Sequence, residues 1–420
     1  PMKMNKLTVA ILIAMLLGIV TGQGYRLFAP TQAATFASDI TLLTDIFLRL
    51  IKMIIAPLVF TTLVVGIAKM GDTRTVGRIG AKTLGWFMLA SLMSLTLGLV
   101  MVHLMQPGVG LSLSLPDDGA SSGVAATAIS LKDFVTHAIP KSVIEAMATN
   151  EILQIVVFSL FFGLAAAALG DAAKPVVMLM ASAAEIMLKV TGYVMNFAPF
   201  AVFGAIAAMV AKEGLGILAT YGTFMAQFYL ALACLWLLLI AMGSLFIRRR
   251  ILTLLAMIRE PILLAFSTAS SEAAYPKTLD RLEKFGCDKR IASFVLPMGY
   301  SFNLDGSMMY CTFAVMFIAQ AYGIELSMAQ QITMLLLLMV TSKGMAGVPR
   351  ASLVVIAATL NQFQIPEAGI LLLLGIDHFL DMGRSATNVL GNAIAASVVA
   401  KTEDSLGETA PLGETDLAKV

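Results

Sequence analysis

One stretch near the C-terminus gathers many polar residues that could bind a ligand. In IDHFLDMGRSATNVLGN, residues 376–392, charged and amide side chains recur among apolar and small ones. At about 100° per residue on a helix, the recurring residues fall within an arc of about 80°. They are Asp377, Asp381, Arg384, Asn388 and Asn392, with Ser385 beside them. The spacing predicts a helix with one polar face.

The residue types on this face favour a particular ligand. Arg384 carries a planar guanidinium that binds a carboxylate bidentately and stays charged in any protein environment. Asp381, one turn earlier, is placed to receive an ammonium group, and Asn388, one turn later, can donate to a second carboxylate. Together they predict a site for an acidic amino acid. A structural ion-pair network between helices is the alternative.

A second polar cluster lies in SFNLDGSMMY, residues 301–310, inside an apolar stretch. Asn303, Asp305 and Ser307 adjoin Gly306, and Asn and Gly within an apolar helix favour local unwinding. Unwinding frees backbone carbonyls to coordinate a cation or to accept a hydrogen bond. Gly306 could instead permit close helix packing, although packing does not account for Asp305.

The elements that position these residues are predicted to lie in a membrane. The 420 residues are 59% hydrophobic and only 13% charged, which is far from the composition of soluble domains. A helix needs about 20 apolar residues to cross a bilayer. Eight stretches satisfy this: 7–28, 42–68, 84–104, 152–169, 176–210, 221–246, 291–321 and 370–400. The predicted fold class is therefore an all-α polytopic membrane protein.

The distribution of basic residues predicts the orientation. Basic clusters follow the second span, at 69–82, and the sixth span, at 248–259. By the positive-inside rule both clusters and both termini are cytoplasmic, so the chain is expected in the cytoplasmic (inner) membrane. Cys234, Cys287 and Cys311 form no CxxC pair, so neither disulfides nor a metal site is expected. No cofactor and no nucleic-acid partner are expected.

Two apolar segments in the second half are interrupted at corresponding positions. The segment 251–282 is broken by AFSTASSEAAYP at 265–276, and the segment 328–362 by TSKGMAGVPRAS at 341–352. We expect two re-entrant hairpins that enter from opposite faces, as in the inverted repeats of transporters. Their tips would meet at a polar cavity, because lipid cannot satisfy bare backbone groups. Ser270, Ser271 and the backbone N–H groups at the first tip suit a carboxylate. Surface loops between short helices are the alternative.

Two other functional classes fit the sequence less well. An intramembrane hydrolase would need a Ser within reach of a His, but His103, His137 and His378 lie in unrelated segments and no GxSxG occurs. A channel is harder to exclude, because a polar lining serves conduction as well as carriage. The paired interrupted segments favour a carrier.

Six motifs in the same order resemble the dicarboxylate/amino acid:cation symporters, the family that includes the glutamate transporters. They are IKMIIAPLVF at 51–60, NFAPFAVFG at 196–204, TASSEAAYP at 268–276, NLDGS at 303–307, SKGMAGVP at 342–349 and DMGRSATNVLGN at 381–392. The resemblance implies an elevator fold of eight spans and two hairpins, assembled as a homotrimer in the lipid bilayer. Residues 7–82 and 107–212 would form a static scaffold, and 83–106 and 216–402 a moving transport domain. Residues 403–420 would be a polar cytoplasmic tail.

The same resemblance implies roles for individual residues. Arg384 would bind the substrate's side-chain carboxylate, Asp381 its amino group and Asn388 its α-carboxylate. The rest of the pocket would be Ser270, Ser271, Ser307, Val348 and Ser385. C4-dicarboxylate carriers of the family usually lack the DMGR form of this stretch, so the resemblance favours glutamate or aspartate as the substrate.

Departures from the family pattern bear on the coupling ion. Sodium-coupled members usually carry Asp where this chain has Asn392, and Tyr and Thr where it has Phe87 and Ala90. Glu272 belongs to the sequence TASSE. This sequence resembles the corresponding stretch of the bacterial proton-coupled glutamate carriers. We therefore expect proton coupling through Glu272 and Asp305, two protonatable groups in the same cavity, with no metal bound. A structural hydrogen-bonding role for Glu272 is the alternative.

Two alternatives for transport stay open. If the carrier is sodium-coupled, the cation ligands would be Ser301, Asn303, Asp305, Ser342, Met345 and Asn392. The other alternative is a C4-dicarboxylate carrier.

Overall fold

The computed structural model of the chain describes residues 6–70, 73–109, 138–215, 217–342, 351–374 and 376–409. These residues form α-helices and short 3-10 turns, and no β-strand occurs among them. The first seven helices are α1 Lys6–Phe28, α2 Ala33–Met70, α3 Thr73–Met105, α4 Val143–Ala148, α5 Ile152–Leu169, α6 Lys174–Met195 and α7 Ala198–Glu213. The next five are α8 Ile217–Ile247, α9 Arg250–Thr268, α10 Tyr275–Phe285, α11 Lys289–Phe302 and α12 Asp305–Ala321. The last four are α13 Met328–Thr341, α14 Ala351–Gln362, α15 Leu371–Leu374 and α16 Asp377–Thr402.

Seven helical stretches of the described residues are long and apolar enough to cross a membrane. They are Val9–Phe28, Pro30–Lys69, Thr73–Met105, Ile152–Met195, Tyr221–Ile247, Arg250–Thr268 and Lys289–Ala321. The predicted span 370–400 is not among them, because α16 carries two aspartates and an arginine in its first half. Arg250–Thr268, predicted as a hairpin arm, is among them. The all-helical, multi-pass character is confirmed, and the eight-span topology stays a prediction.

The predicted fifth span, 176–210, is not one helix. The chain breaks between α6 and α7 at Asn196 and Phe197, and Pro199 stands in the first turn of α7. Proline is tolerated there because the first-turn N–H has no helical partner, whereas further inside a helix it would remove a hydrogen bond. Both α6 and α7 pack against α2.

The first interrupted segment is broken where the sequence predicts. Helix α9 ends at Thr268, Ala269 adopts a left-handed conformation with φ 48°, and a 3-10 turn over Glu272–Ala274 leads into α10. The two helices pack against each other. In the second interrupted segment α13 and α14 flank residues 343–350, which lie outside the described part of the chain. Entry of either pair into a membrane stays a prediction.

The predicted unwinding near Asn303 is confirmed. Helix α11 ends at Phe302, α12 begins at Asp305, and Asn303 and Leu304 between them are not helical. The break lies against α16, which also packs on α3, α8, α9, α10, α11 and α12. Nearly every residue of α16 is buried. The polar helix is therefore central in the fold.

A C-terminal segment, residues 403–409, crosses one end of the helices. Glu403 pairs with Arg78 Nη2 at 2.7 Å and with Lys82 Nζ at 2.6 Å. Further along, the Gly407 carbonyl accepts from Arg250 Nη2 at 2.8 Å, and the Gly407 amide donates to the Gly286 carbonyl at 2.8 Å. These contacts place members of the two predicted basic clusters at one end of the molecule.

Candidate functional site

The charged residues of α16 form a buried network around one guanidinium. Arg384 Nη2 lies 3.1 Å from Asp377 Oδ1 and 3.0 Å from Asp381 Oδ1, and Arg384 Nε donates to Asp381 Oδ1 at 3.2 Å. The Arg384 side chain is 2% exposed. A charge so far from water needs close partners, and the spacing of four and three residues on one helix supplies them.

Tyr310 of α12 completes the support of Arg384. Its ring lies beneath the guanidinium, with Arg384 Cζ 4.1 Å from the ring centroid. Its hydroxyl donates to Asp377 Oδ1 at 3.3 Å. The cation–π contact and the hydrogen bond fix both members of the Arg384–Asp377 pair. Sequence reasoning missed Tyr310 and gave Asp377 no role, since nothing local relates α12 to α16.

The network leaves groups available for a ligand. Arg384 Nη1 is buried and has no hydrogen-bond partner among the described residues. The Asp381 side chain is 38% exposed, whereas that of Asp377 is 5% exposed. A guanidinium donor and an accessible carboxylate therefore lie together on one face. Ser385, predicted as part of the pocket, is buried beside them.

Asn388 contacts the start of α12. Its Oδ1 accepts from the Gly306 amide at 2.9 Å and from the Ser307 amide at 3.4 Å, and its Nδ2 donates to Ser307 Oγ at 3.2 Å. Nδ2 has two N–H groups, so one stays available for a ligand. Gly306 is needed for this approach, because a Cβ there would lie 2.6 Å from the Arg384 carbonyl oxygen. The break before α12 thus brings Ser307 and Asn388 together.

A second buried cluster surrounds Asp305. Asn303 Nδ2 donates to Asp305 Oδ2 at 2.9 Å and to Asn392 Oδ1 at 3.2 Å, and Ser94 Oγ of α3 donates to Asp305 Oδ1 at 3.2 Å. Asn303, Asp305 and Asn392 are fully buried. Asp305 is the one acid in this hydrogen-bonded set. Sequence reasoning missed Ser94.

The other predicted cation ligands are Ser301, Ser342 and Met345. The hydroxyls of Ser301 and Ser342 are buried and have no hydrogen-bond partner among the described residues. Met345 and Val348 lie outside the described residues, so their predicted roles stay predictions.

The first hairpin tip has different neighbours from the Asp305 cluster. Ser270 Oγ accepts from the Ala273 amide at 3.2 Å, within the tip itself. Glu272 lines a small cavity with Ile55 and Val59 of α2 and Tyr300 of α11. Its charged neighbours are Lys52 and Glu151. The sequence predicts that Glu272 and Asp305 share one cavity. In the structure, the described neighbours of Glu272 are different residues from those of Asp305. No hydrogen bond of the Ser271 side chain is described.

Comparison with known proteins identifies the family. Residues 7–402 match the sodium:dicarboxylate symporter family. The chain belongs to this family. The symporter is thus a secondary transporter and not an enzyme, as the sequence predicts, and it is a multi-pass membrane protein.

Named relatives of the symporter fall into two substrate groups. It is 41% identical to a proton/sodium-glutamate symport protein of Bacillus caldotenax over 95% of this chain and 94% of that one. It is 39% identical to a proton/glutamate-aspartate symporter of Bacillus subtilis, with 94% of each chain covered. It is also 40% identical to a C4-dicarboxylate transport protein of Laribacter hongkongensis, over 94% of this chain and 89% of that one. The overall identities therefore do not distinguish a carrier of amino acids from a carrier of dicarboxylates. The residues of the site must decide between the two.

Proposed function

We propose that this symporter imports glutamate or aspartate across the cytoplasmic (inner) membrane, driven by protons. One observation carries the substrate: buried Arg384 keeps an Nη1 that has no partner among the described residues, beside the accessible carboxylate of Asp381. A dicarboxylate needs donors for its two carboxylates, whereas an amino acid also needs an acceptor for its ammonium group. Asp381 supplies that acceptor, and the free N–H of Asn388 suits the second carboxylate.

Charge balance supports a co-transported cation. With both acids ionised, Asp377, Asp381 and Arg384 carry a net charge of −1, and an acidic amino acid adds another −1. Uncompensated charge is costly at membrane depth. A cation bound together with the substrate would offset this charge, so substrate and cation favour each other's binding.

Protons fit the available groups better than sodium does. A hard cation prefers several oxygen ligands and formal negative charge. Among the described residues, the hydrogen-bonded cluster around Asp305 holds one carboxylate, because Asn392 is an amide. Phe87 and Ala90 offer no side-chain oxygen. A carboxyl group of Asp305 or Glu272 could carry a proton in each transport cycle. Glu272 lies in the tip and faces α2, where a change of its charge would alter its electrostatic interaction with Lys52.

The proposed mechanism is an elevator in a homotrimer, which rests on the family resemblance. The packing is compatible with the proposed division. Helix α2 packs against α5, α6 and α7, and α16 packs against α3 and α8 to α12. Helix α2 also packs against α11, so this pair would lie at the boundary between the two domains. The former helices would be part of the scaffold and the latter part of the transport domain, with the second hairpin as the outer gate.

A C4-dicarboxylate carrier is the second candidate, favoured by the similarity to the Laribacter hongkongensis protein. Asp381 argues against it, because an accessible carboxylate beside Arg384 repels a doubly charged anion and has no ammonium to bind.

Uptake into proteoliposomes tests both the substrate and the ion. Labelled aspartate, glutamate and succinate are supplied while pH and sodium gradients are imposed separately. We expect aspartate or glutamate to accumulate with an acidic exterior in sodium-free buffer. Accumulation that requires external sodium and ignores the pH gradient would contradict proton coupling, and preference for succinate would contradict the substrate.

The proton carrier is tested in the same assay. Glu272→Gln should flatten the pH dependence of uptake if Glu272 carries the proton. Glu151→Gln is the matched control, because it removes a neighbouring carboxyl that has no proposed role. Equal pH profiles of the two variants would leave Asp305 as the carrier.

A further inference from the structure

Helix α8 packs along one side of α16, which we call the seam. The substrate face of α16, which carries Asp381 and Arg384, lies on another side. On α8 the seam consists of Tyr229, Leu232 and Trp236, which are three and four residues apart and so share one face. On α16 it consists of Phe379, Gly383 and Thr387, each four residues from the next. The two helices pack directly on each other.

Two side-chain hydrogen bonds join the helices along this seam. The Tyr229 hydroxyl donates to the Phe379 carbonyl at 2.6 Å, and Trp236 Nε1 donates to Thr387 Oγ1 at 2.8 Å. The Thr387 hydroxyl in turn donates to the Gly383 carbonyl at 2.8 Å. Hydrogen bonds of this kind gain strength in a low dielectric, where an unpaired donor is costly. The two bonds between the helices hold α16 against α8 at Phe379 and at Thr387, which are eight residues apart.

Gly383 allows the close approach between these bonds. A Cβ at this position would lie 2.6 Å from Leu232 Cδ1 and 3.0 Å from Tyr229 Cε1. The missing side chain therefore permits the Tyr229 ring to lie against the α16 backbone. Gly383 also directly precedes Arg384, so the closest approach of α8 falls next to the proposed anchor of the substrate.

The seam and the substrate face occupy different sides of α16. At about 100° per residue, the seam residues are centred about 130° away from the face that carries Asp381 and Arg384. Tyr229 and Trp236 therefore act on the back of the helix. A binding site needs its groups held within about 0.5 Å and 10–20° of the productive geometry. A rotation of α16 by more than about 10–20° would therefore move the Arg384 guanidinium out of the productive geometry.

We infer that Tyr229 and Trp236 are positioning residues that set the rotation of α16 and thereby the preference for amino acids over dicarboxylates. The inference rests on the proposed function of Arg384 and Asp381. An amino acid must meet both residues at once, whereas a dicarboxylate without an ammonium group needs no contact with Asp381. Loss of the seam bonds should therefore weaken amino acid recognition more than dicarboxylate recognition.

The test uses Tyr229→Phe and Trp236→Phe, which keep an aromatic ring and remove the donor. Gln227→Leu is the matched control, because Gln227 of the same helix donates instead to the Met105 carbonyl of α3 at 3.1 Å. Uptake of labelled aspartate and succinate is measured in proteoliposomes at equal amounts of folded protein. We expect each seam variant to lower the aspartate-to-succinate ratio of Vmax/KM about fivefold, mainly through KM for aspartate, as loss of one net hydrogen bond implies. The control should keep the wild-type ratio.

Thr387→Val tests the Trp236 hydrogen bond from the α16 side. It removes the acceptor while keeping the shape, so it should lower the ratio as Trp236→Phe does. The double variant should be no worse than either single one, because the two share one interaction.

Arg384→Ala in the same experiment separates the two claims. If this variant keeps aspartate uptake, the proposed function is wrong. If it is inactive while the seam variants keep the wild-type ratio, or lose only thermal stability, the seam is merely structural and the inference is wrong. Loss of the ratio in Gln227→Leu as well would also overturn it, since the effect would not be specific to α16.

Discussion

Asp381→Asn should separate amino acid from dicarboxylate recognition. Asparagine keeps the shape of the side chain and can still accept from Arg384 Nε through its carbonyl oxygen, so the helix face should persist. What is lost is the charge that the proposal assigns to the substrate's ammonium group. Succinate has no such group, so its binding through Arg384 and Asn388 should not depend on the charge of Asp381.

The size of the effect follows from the exposure of the side chain. Hydrogen bonds to charged groups contribute about 1.5–3 kcal/mol. The Asp381 side chain is 38% exposed, so solvent screening favours the lower end. A loss of about 1.5 kcal/mol raises KM for aspartate about tenfold. KM for succinate should stay constant or fall, because Arg384 loses a competing carboxylate.

Initial rates of labelled aspartate and succinate uptake, measured over a range of concentrations, give both constants. Asp377→Asn is the matched control: it removes the other carboxylate that pairs with Arg384, but from a side chain that is 5% exposed. We expect the control to affect both substrates alike. Equal losses for aspartate and succinate in Asp381→Asn would show that Asp381 does not bind the amino group.

Two further variants probe the ion site and the C-terminal segment. Asn392→Asp adds a second carboxylate to the Asp305 cluster, so uptake at equal pH should become stimulated by an imposed sodium gradient, and an unchanged rate would argue against this cluster as a cation site. Glu403→Gln should lower the thermal stability of the purified protein by an amount equivalent to less than about 1 kcal/mol, because its ion pairs are partly exposed. Hydrogen bonding to Arg78, helped by Lys82, holds the pKa of Glu403 below its ordinary value. The stability from these pairs is therefore present above about pH 4.5 and disappears as pH falls through the lowered pKa. A deficit of the Gln variant that persists in acid would contradict this account.

Features encoded locally could be predicted from the sequence. The polar face of α16 follows from the spacing of its charged residues, and the break at Asn303 follows from polar and flexible residues inside an apolar run. The interruption after Thr268 is of the same kind. In each case residues within a few positions determine the local conformation, and the structure agrees.

Features that depend on contacts between distant segments could not be predicted. Tyr310 supports Arg384 from another helix, and Ser94 reaches Asp305 from α3, so sequence spacing offers no sign of either. Hydropathy also has limits. It joins α6 and α7 into one span, because the break at Asn196 is too short to interrupt the apolar run. Residue type and the TASSE resemblance predict Glu272 in the same cavity as Asp305, whereas its described neighbours include residues of α2 and α11.

The central claim is that an acidic amino acid binds to the α16 face through Arg384. Equilibrium binding of labelled aspartate to the purified protein tests it most directly, without dependence on the coupling ion or the transport cycle. We expect saturable binding by the wild-type protein and by Arg78→Ala, a control that removes a basic residue far from this face. Arg384→Ala should weaken binding by more than about a hundredfold, since a buried charge-assisted contact is worth several kcal/mol. Wild-type affinity in Arg384→Ala would contradict the account.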